Sequence, residues 1–377
     1  MKINVVIEQE SKGLEVLDWF YAYRQSQCQK NSYKSDIDII FSDDCKSDCI
    51  NLLYSYQCHY LYHNIKDFDI VLLDNAGEAL EVSTPFIKEV VEDYPHVYML
   101  SGAFVTDDHP YKHKIIPYCH ILDTFRRCYT DGFYPNFYEL SQYNTKEKTK
   151  NFCFINGQNR RHRYYFSELL LSHCPFVNHH SKHTNVMETL ECQFESPEDE
   201  KFRMFVNQEI TVLKEKTHKF EYYSRSIPCG IDNKYGNVVP GMFLLPEYYD
   251  YHCVIFPETC WVNNQFFMTE KVFKCFISEC LPLPIAGANT AKLYNKYGFH
   301  TVLDLVPDEL QQVDSEMNHI QRYHGIIECI KWLNDNSDVL SSERAEKMLK
   351  TNKNNLYSSA LNTEGVIIID KILSRFR

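Results

Sequence analysis

The feature that most constrains the fold is an alternation of short apolar runs with longer amphipathic stretches. In the first third of the chain, strands are predicted in KINVVIE (2–8), DIDIIFSDD (36–44), FDIVLLDNAGE (68–78) and HVYMLSGAF (96–104). The stretch at 13–26 has apolar residues at helical spacing, and the stretch at 84–95 has Pro near each end, as helices often do. This alternation predicts an α/β fold with a parallel sheet covered by helices.

A polar and charged segment, ELSQYNTKEKTK (139–150), interrupts the alternation and predicts a linker. The pattern then restarts, with strands predicted at 151–157, 252–259, 281–287 and 300–305 and helices at 163–174 and 270–280. Loops are predicted over 176–250, and helical structure is predicted from 314 onwards. We therefore predict two α/β domains, 1–145 and 150–350, followed by a helical segment at 351–377.

Composition excludes several classes of protein. The 377 residues carry a net charge of −12, which argues against a broad electrostatic grip on nucleic acid. The 15 cysteines are odd in number, scattered and without a CxxC pair, so reduced thiols are expected. Neither a signal peptide nor an apolar run of about 18 residues is visible, and the prediction is a soluble, cytoplasmic protein without a membrane span.

The stretch NNQFFMTEKVFKCF (263–276) reads as a strand that ends near a threonine and continues as a helix. Thr269 is placed as the helix cap, with the apolar face of the helix behind it. The positive helix end and Lys271 favour a diphosphate, and Glu270 could accept hydrogen bonds from two ribose hydroxyls. The alternative is a capped helix with a solvated Glu–Lys pair.

A second strand end lies in NFCFINGQNRRHR (151–163), where Asn156 precedes a run of basic residues at a helix start. Cations are unfavourable at a helix N-terminus, so Arg160, Arg161 and Arg163 require anions there, either carboxylates or ligand phosphates. A solvated basic turn is the alternative. The sequence contains no Walker motif and no GxGxxG, which leaves P-loop and ordinary dinucleotide sites unsupported.

The order of these motifs resembles the α1,3-fucosyltransferase-like glycosyltransferases. Their motif runs roughly F-E-N-S, Y-x-T-E-K, a helix and V-P-V; here FPET ends a strand with Glu258, and FMTEK, a helix and LPLPI follow. NFCFINGQNRRHR and KLYNKYGFHTV (292–302) are similar to segments of related phage and giant-virus glycosyltransferases. The resemblance covers about 150–305, and ETC stands where the family has E-N-S.

The resemblance implies a GT-B architecture, in which two Rossmann-like domains face a cleft and the C-terminal domain holds a nucleotide-sugar. By that likeness Lys271, with Arg160 or Arg163, holds the diphosphate, Glu270 holds the ribose, and Glu258 sits near the sugar. Asn156 and Thr269 complete the donor-binding set. The implied activity is transfer of a sugar from a nucleoside-diphosphate sugar to an acceptor hydroxyl, without a metal or other cofactor.

Such a transfer also requires a base that takes the proton of the acceptor hydroxyl. Two groups of carboxylates in the N-terminal half follow predicted strands: Asp74 and Glu78, and Asp107 and Asp108. Acidic residues after strands also occur for solvation alone. We rank the first group higher because Gly77 permits a tight turn beside it.

Other interpretations stay open from the sequence. FSDD (41–44) has the acidic pattern of a GT-A metal site, and NHHSKH (178–183) with Cys174 nearby has candidate zinc ligands. The acceptor stays open between a glycan or protein and a hydroxymethylated DNA base. The Lys/Asn/Tyr-rich, Gly-poor composition suggests an AT-rich genome, as many viruses have. The basic residues that would contact DNA are Lys112, Lys114, Arg126 and Arg127. A further alternative is a nucleotide-binding scaffold that has lost catalysis.

Overall fold

The structure is a computed structural model. It describes residues 1–7, 38–56, 63–75, 91–107, 109, 111–119, 122, 147–156, 160–181, 196–216, 246–258, 260–357 and 360–376. The chain forms two compact units: the first comprises Met1–His120 and Ser359–Arg377, and the second comprises Ile121–Ser358. No described helix combines the length and apolar character needed to cross a lipid bilayer.

The strands and helices take the following bounds. The strands are β1 Lys2–Ile7, β2 Asp38–Phe41, β3 Ile50–Tyr56, β4 Ile70–Asn75, β5 Val97–Ser101, β6 Ala103–Val105, β7 Ile115–Pro117, β8 Lys150–Asn156, β9 Asn178–Ser181, β10 Tyr251–Pro257, β11 Gln265–Phe267 and β12 Leu281–Ile285. The helices are α1 Arg161–His173, α2 Pro197–Lys216, α3 Glu270–Ile277, α4 Thr290–Lys296, α5 Asp308–Gln311, α6 His319–Asp335, α7 Glu343–Tyr357 and α8 Ala360–Ser374.

The first unit is built on a parallel sheet with the strand order β2-β1-β3-β4-β5-β7. Apart from the edge strand β2, which is partly exposed, its strands are nearly continuous apolar runs, as expected for a sheet buried on both faces. Helix α8 packs on this sheet through Val366, Ile369 and Ile372. The backbones approach closely there, because a Cβ added to Gly365 would lie 2.3 Å from the carbonyl oxygen of Pro117.

The second unit is built on a parallel sheet with the order β12-β10-β8-β9. One continuous core joins the phenylalanines of β8 to the apolar faces of α1, α2 and α6. Helix α3 lies beside β12, and Phe276 from α3 stacks on Phe299 with ring centroids 4.8 Å apart. This packing fixes the carboxyl ends of β8, β10 and β12 along one edge, which we call the carboxyl edge.

The structure confirms the predicted α/β fold class, with a parallel sheet in each unit. Strands begin or end within a few residues of the predicted bounds in both halves. No disulfide joins any two of the described cysteines. Residues 139–146 of the linker predicted at 139–150, the helix at 13–26 and most of the helix at 84–95 lie outside the described residues. Lys150 already belongs to β8, and residues 91–93 are helical.

Several predicted elements were wrong or missed. The segment 300–305 is not a strand: Val302–Leu305 forms a 3-10 helix, because Asp304 accepts a hydrogen bond from the backbone N–H of Thr301 at 2.9 Å. Strands β3, β7 and β9 were not predicted, and α2 lies within 176–250, where loops were expected. The predicted C-terminal segment 351–377 is divided, since α7 belongs to the second unit and α8 to the first.

Candidate functional site

The candidate donor-binding residues gather at the carboxyl edge of the second unit. In the parallel register, Ile255 of β10 pairs with Phe154 of β8, and Pro257 pairs with Ile285 of β12. Asn156 and Glu258 therefore lie at the ends of adjacent strands. Ligands of open parallel sheets bind at this edge, so the geometry places both residues where a ligand is expected.

Thr269 is the N-cap of α3, as predicted. Its backbone is extended, with φ −89° and ψ 175°, and its Oγ1 accepts a hydrogen bond from the backbone N–H of Lys271 at 3.4 Å. The same hydroxyl donates to Oε1 of Glu258 at 3.1 Å. Thr269 therefore joins the end of β10 to the start of α3. We refer to Glu258, Thr269, Glu270 and Lys271 together as the donor cluster.

The charged residues of the first turn of α3 contact each other. Lys271 Nζ lies 3.0 Å from Oε1 of Glu270, and both side chains are largely shielded from solvent. Burial raises the pKa of Glu270, but the charges of Lys271 and Lys274 outweigh it and lower this pKa below its usual value. Burial lowers the pKa of Lys274 to about 8. Glu270 is therefore an anion at neutral pH, available to accept hydrogen bonds.

Glu258 is the most perturbed carboxyl of the donor cluster. Its side chain is 1% exposed, and Oε2 has no hydrogen-bond partner among the described residues. Burial raises its pKa to about 7, and Glu270 adds to the rise; Lys271, Thr269 and Arg163 oppose it. Glu258 consequently exchanges between acid and carboxylate near neutrality, and it has one oxygen ready for a ligand hydroxyl or water.

The three arginines at the start of α1 have different environments. Arg160 is the N-cap residue, and Nη1 of Arg161 donates to the carbonyl of Asn207 in α2 at 2.8 Å. Arg163 is 2% exposed, and burial lowers its pKa to about 10; Arg160 contributes to the fall, while Glu258 and Glu270 oppose it. Arg163 thus belongs to the electrostatic surroundings of the donor cluster and Arg160 to those of Arg163, whereas Arg161 holds α2.

Buried polar atoms without partners are found beside the donor cluster. The side chain of Asn156 is 1% exposed, and within the described part of the chain neither its nitrogen nor its oxygen has a hydrogen-bond partner. Nδ1 of the buried His162 also has no partner there, although its Nε2 lies 3.2 Å from the carbonyl oxygen of Glu258. Native proteins leave few buried polar groups unsatisfied, so these atoms mark a place for a ligand or ordered water.

The N-terminus of α4, the next helix along the carboxyl edge, already binds a carboxylate of the protein. The backbone N–H groups of Ala291 and Lys292, at the start of α4, donate to the two carboxylate oxygens of Asp314 at 2.9 and 3.0 Å. Asp314 therefore already occupies the position that an anion would take. This contrast favours the starts of α1 and α3 as the anion-binding positions of this unit.

The predicted base candidates lie in the first unit. Asp74 is buried on β4 beside Tyr56 and Leu100, and its carboxylate accepts a hydrogen bond from the hydroxyl of Tyr54. Asp107 is exposed in a turn after β6. Glu78 and Asp108 lie outside the described residues. Which of these carboxylates acts as base stays a prediction.

The rival patterns take other structural roles. In FSDD, Asp43 and Asp44 are exposed after β2, and among the described residues no group of three or more His, Cys, Asp or Glu is placed to hold a metal. In NHHSKH, the described residues Asn178–Ser181 form β9 instead of the expected loop, and the ring of His179 packs on Phe154 at 5.2 Å.

Of the predicted basic stripe for DNA, the structure describes Lys112 and Lys114, and both make contacts within the first unit. Lys114 is buried and donates to the backbone carbonyls of Tyr94 and Val97 at 2.8 and 3.2 Å. Lys112 forms an ion pair with Glu364 at 2.5 Å. Arg126 and Arg127 lie outside the described residues. The two described lysines therefore serve the first unit itself.

Comparison with known proteins gives similarities at low identity. No family model and no curated protein matches the chain. Among solved structures it is similar to an α1,3-fucosyltransferase (12% identity, TM-score 0.47, covering 99% of this chain and 90% of that one). It is also similar to the N-terminal domain of Candida albicans trehalose-6-phosphate phosphatase (9%, 0.43, 99% and 96%). A third is UDP-GlcNAc 2-epimerase from Neisseria meningitidis bound to UDP-GlcNAc (11%, 0.34, 99% and 100%). The functional assignment therefore depends on the site residues themselves.

Proposed function

We propose that this protein is a glycosyltransferase that moves a sugar from a nucleoside-diphosphate sugar to an acceptor hydroxyl without a metal. The observation that carries the proposal is the donor cluster at the start of α3. A hydrogen-bonded Thr–Glu pair, a carboxylate and a lysine meet there at the carboxyl edge of a parallel sheet. Helix N-termini at such edges are established positions for diphosphates.

Each member of the cluster has a proposed role in binding the donor. Lys271, the start of α3, and Arg160 or Arg163 bind the diphosphate and stabilise the negative charge that develops on it as the sugar leaves. Glu270 accepts hydrogen bonds from the ribose hydroxyls, for which its lowered pKa keeps it ionised. The Lys271–Glu270 contact of 3.0 Å holds both groups together before the ligand arrives.

The remaining residues are assigned to the sugar and the acceptor. Glu258 and the amide of Asn156 offer hydrogen-bonding atoms at adjacent strand ends, as a polyhydroxyl group requires. One carboxylate among Asp74, Glu78, Asp107 and Asp108 takes the proton of the acceptor hydroxyl. The classes of acceptor and a cytoplasmic or viral setting stay predictions from the sequence, which does not specify the sugar.

A thermal-shift panel of UDP, GDP, CDP and ADP, measured in EDTA and again with Mg²⁺, tests the proposal. One nucleotide at about 100 times its dissociation constant is expected to stabilise the wild type by roughly 2.7 kcal/mol. Lys271→Ala should abolish the shift. The matched control is Lys292→Ala, which removes the same charge from the first turn of α4, where Asp314 already binds the amides.

Failure of every nucleotide to shift the wild type, in EDTA and with Mg²⁺ alike, would refute the donor site. A shift without release of nucleoside diphosphate from any nucleotide-sugar, over a panel of acceptors, would favour the inactive scaffold. A shift that requires added Mg²⁺ would refute the metal-independent part of the proposal. The three outcomes separate donor binding, turnover and metal dependence.

A further inference from the structure

A buried arginine connects the two loops that follow β10 and β12. Arg322, on α6, is 1% exposed. Its Nη1 donates to Oδ1 of Asn263 at 3.0 Å and to the carbonyl oxygen of Glu316 at 2.6 Å. Its Nη2 donates to the carbonyl oxygen of Ala286 at 3.0 Å. One guanidinium therefore holds three separate segments at the carboxyl edge.

His319, one turn before Arg322 on α6, connects the Arg322 guanidinium to the buried carboxylate of Asp199. Nη2 of Arg322 lies 2.6 Å from Nδ1 of His319, and Nε2 of His319 lies 2.6 Å from Oδ1 of Asp199. Because arginine only donates, Nδ1 must accept, and the ring proton must lie on Nε2. Burial lowers the pKa of His319 to about 4, so the ring is a neutral link between the arginine and the aspartate.

Asp199 is itself fixed in place by the start of α2. Ser196 caps this helix and donates to Oδ2 of Asp199 at 2.6 Å, while the backbone N–H of Asp199 donates to the serine hydroxyl at 3.2 Å. Oδ1 of Asp199 also accepts from the backbone N–H of Asn263 at 3.3 Å. Asp199, His319 and Arg322, which we call the buried relay, thus hold Asn263 from both sides.

Asn263 belongs to the loop that leads from Glu258 to β11 and Thr269. This loop packs backbone to backbone on the loop after β12: Ala288 N–H donates to Oδ1 of Asn263 at 2.8 Å, and Asn264 N–H donates to the carbonyl of Ala288 at 3.2 Å. A Cβ on Gly287 would lie 1.8 Å from the carbonyl oxygen of Val262. The approach is so close that displacement of one loop must displace the other.

We infer that Asp199, His319 and Arg322 are positioning residues of the donor cluster, which fix the loop from Glu258 to Thr269 and keep water away from the Glu258 carboxyl. The inference rests on the proposed function for its meaning in catalysis. Buried charges destabilise a fold unless their geometry is well satisfied, and such groups can specify one arrangement of the chain. The buried relay specifies the loop on which both ends of the Glu258–Thr269 hydrogen bond depend.

The relay also reaches Glu258 through aromatic packing. The ring of Trp261 lies 5.3 Å from that of His319 and 6.1 Å from that of His162. His162 in turn contacts the backbone carbonyl of Glu258 at 3.2 Å. Loss of the relay is therefore expected to loosen the packing around Glu258 as well as the loop itself.

The test compares His319→Leu with His319→Gln. A glutamine amide can accept from Arg322 and donate to Asp199, whereas leucine fills the space and makes neither hydrogen bond. The control is Asn352→Leu: Asn352 is also fully buried, and it bridges the backbone N–H and carbonyl of His300 at 2.6 and 2.9 Å, away from both loops. It removes a comparable pair of buried hydrogen bonds.

Two properties are measured in each variant. Difference infrared spectroscopy, with Glu258→Gln to identify the band, follows protonation of Glu258; calorimetry gives the affinity for the best-binding nucleoside diphosphate. His319→Leu should move the midpoint of the Glu258 titration from about pH 7 towards 4.5. It should also weaken binding of the nucleotide by about tenfold, the size expected for loss of one hydrogen bond such as that between Thr269 and Glu258. His319→Gln should restore both, and Asn352→Leu should change only the melting temperature.

A folded His319→Leu protein with wild-type Glu258 titration and wild-type affinity would overturn the inference. If that variant does not fold, ¹⁵N spectra of the wild-type imidazoles decide: the inference requires His319 to carry its proton on Nε2 at pH 7, and a doubly protonated or Nδ1-protonated ring contradicts it. If no nucleoside diphosphate binds the wild type, the proposed function fails, while the infrared titration still decides whether the relay shields Glu258.

Discussion

Replacement of Glu258 by glutamine should stabilise the protein above neutral pH. Glu258 is buried, and its pKa rises from the 4.5 of an ordinary glutamate to about 7. In the wild type the Thr269 hydroxyl donates to Oε1 of Glu258 at 3.1 Å. Glutamine keeps an oxygen that can accept this hydrogen bond, but it has no charge whose burial costs free energy. The variant therefore removes the desolvation cost that lowers the stability of the wild type only when Glu258 is ionised.

The direction and size of the effect follow from the two pKa values. Below pH 4.5 the carboxyl is protonated in both the folded and the unfolded chain, and it contributes no pH dependence. As the pH rises to about 7, the unfolded chain loses a proton that the folded chain keeps, so the free energy of unfolding falls. At about 1.36 kcal/mol per pH unit, the full cost above pH 7 is about 3 kcal/mol.

The assay is the melting temperature of the second unit, followed by circular dichroism at about pH 5 and about pH 8. For a unit of this size, about 3 kcal/mol corresponds to roughly 6–12 °C. Relative to wild type, the melting temperature of Glu258→Gln should rise by most of this amount at about pH 8 and by little at about pH 5. An amide nitrogen left unsatisfied would cost about 1–3 kcal/mol at both pH values, so the difference between them is the decisive quantity.

The control for this prediction is Glu328→Gln. The Glu328 side chain is 61% exposed and pairs with Lys331 on the surface, where an ion pair contributes little stability. The reasoning is refuted if Glu258→Gln gains no stability over wild type between about pH 5 and about pH 8. It is also refuted if Glu328→Gln shows the same gain.

Three further substitutions test the local structure of the carboxyl edge. Thr269→Val should lose about 1–2 kcal/mol of stability because the cap of α3 is removed, whereas Thr269→Ser should retain most of it; equal melting temperatures would contradict this. Gly287→Ala should cost at least about 1–3 kcal/mol because its Cβ meets backbone, and Gly325→Ala should cost less because its Cβ meets only the side chain of Val313. Asp314→Ala should lower the melting temperature by removing the acceptor for the first amides of α4, at a cost of about 1 kcal/mol, and an unchanged value would show that these amides need no acceptor.

Local sequence signals predicted those parts of the site that local chemistry determines. A threonine before an apolar helical face is a strong N-cap signal, and Thr269 caps α3 as predicted. The apolar runs of β8, β10 and β12 predicted three parallel strands, and their ends placed Asn156 and Glu258 at one edge. Residues near strand ends and helix starts are visible in this way because each signal lies within one short segment.

The remaining parts of the site depend on contacts between residues that are far apart in the sequence. Asp199 and His319 lie 120 positions apart and meet only after the second unit has folded. The pKa of Glu258 is set by burial, which no motif reports. The strand wrongly predicted at 300–305 has an apolar run, and only the spacing of Thr301 and Asp304 indicated a cap. Helix α2 was missed because its polar face obscures the apolar period.

The most direct test of the donor site is calorimetric titration of the best-binding nucleoside diphosphate and its 2′-deoxy analogue in EDTA. If Glu270 accepts from the ribose, the deoxy analogue should bind wild type about 10- to 100-fold more weakly, the loss expected for a hydrogen bond to a charged group. Glu270→Gln should reduce that difference, and Lys271→Ala should weaken both nucleotides equally. Equal affinities of the wild type for both nucleotides, or a nucleotide affinity that survives Lys271→Ala, would contradict the assignment.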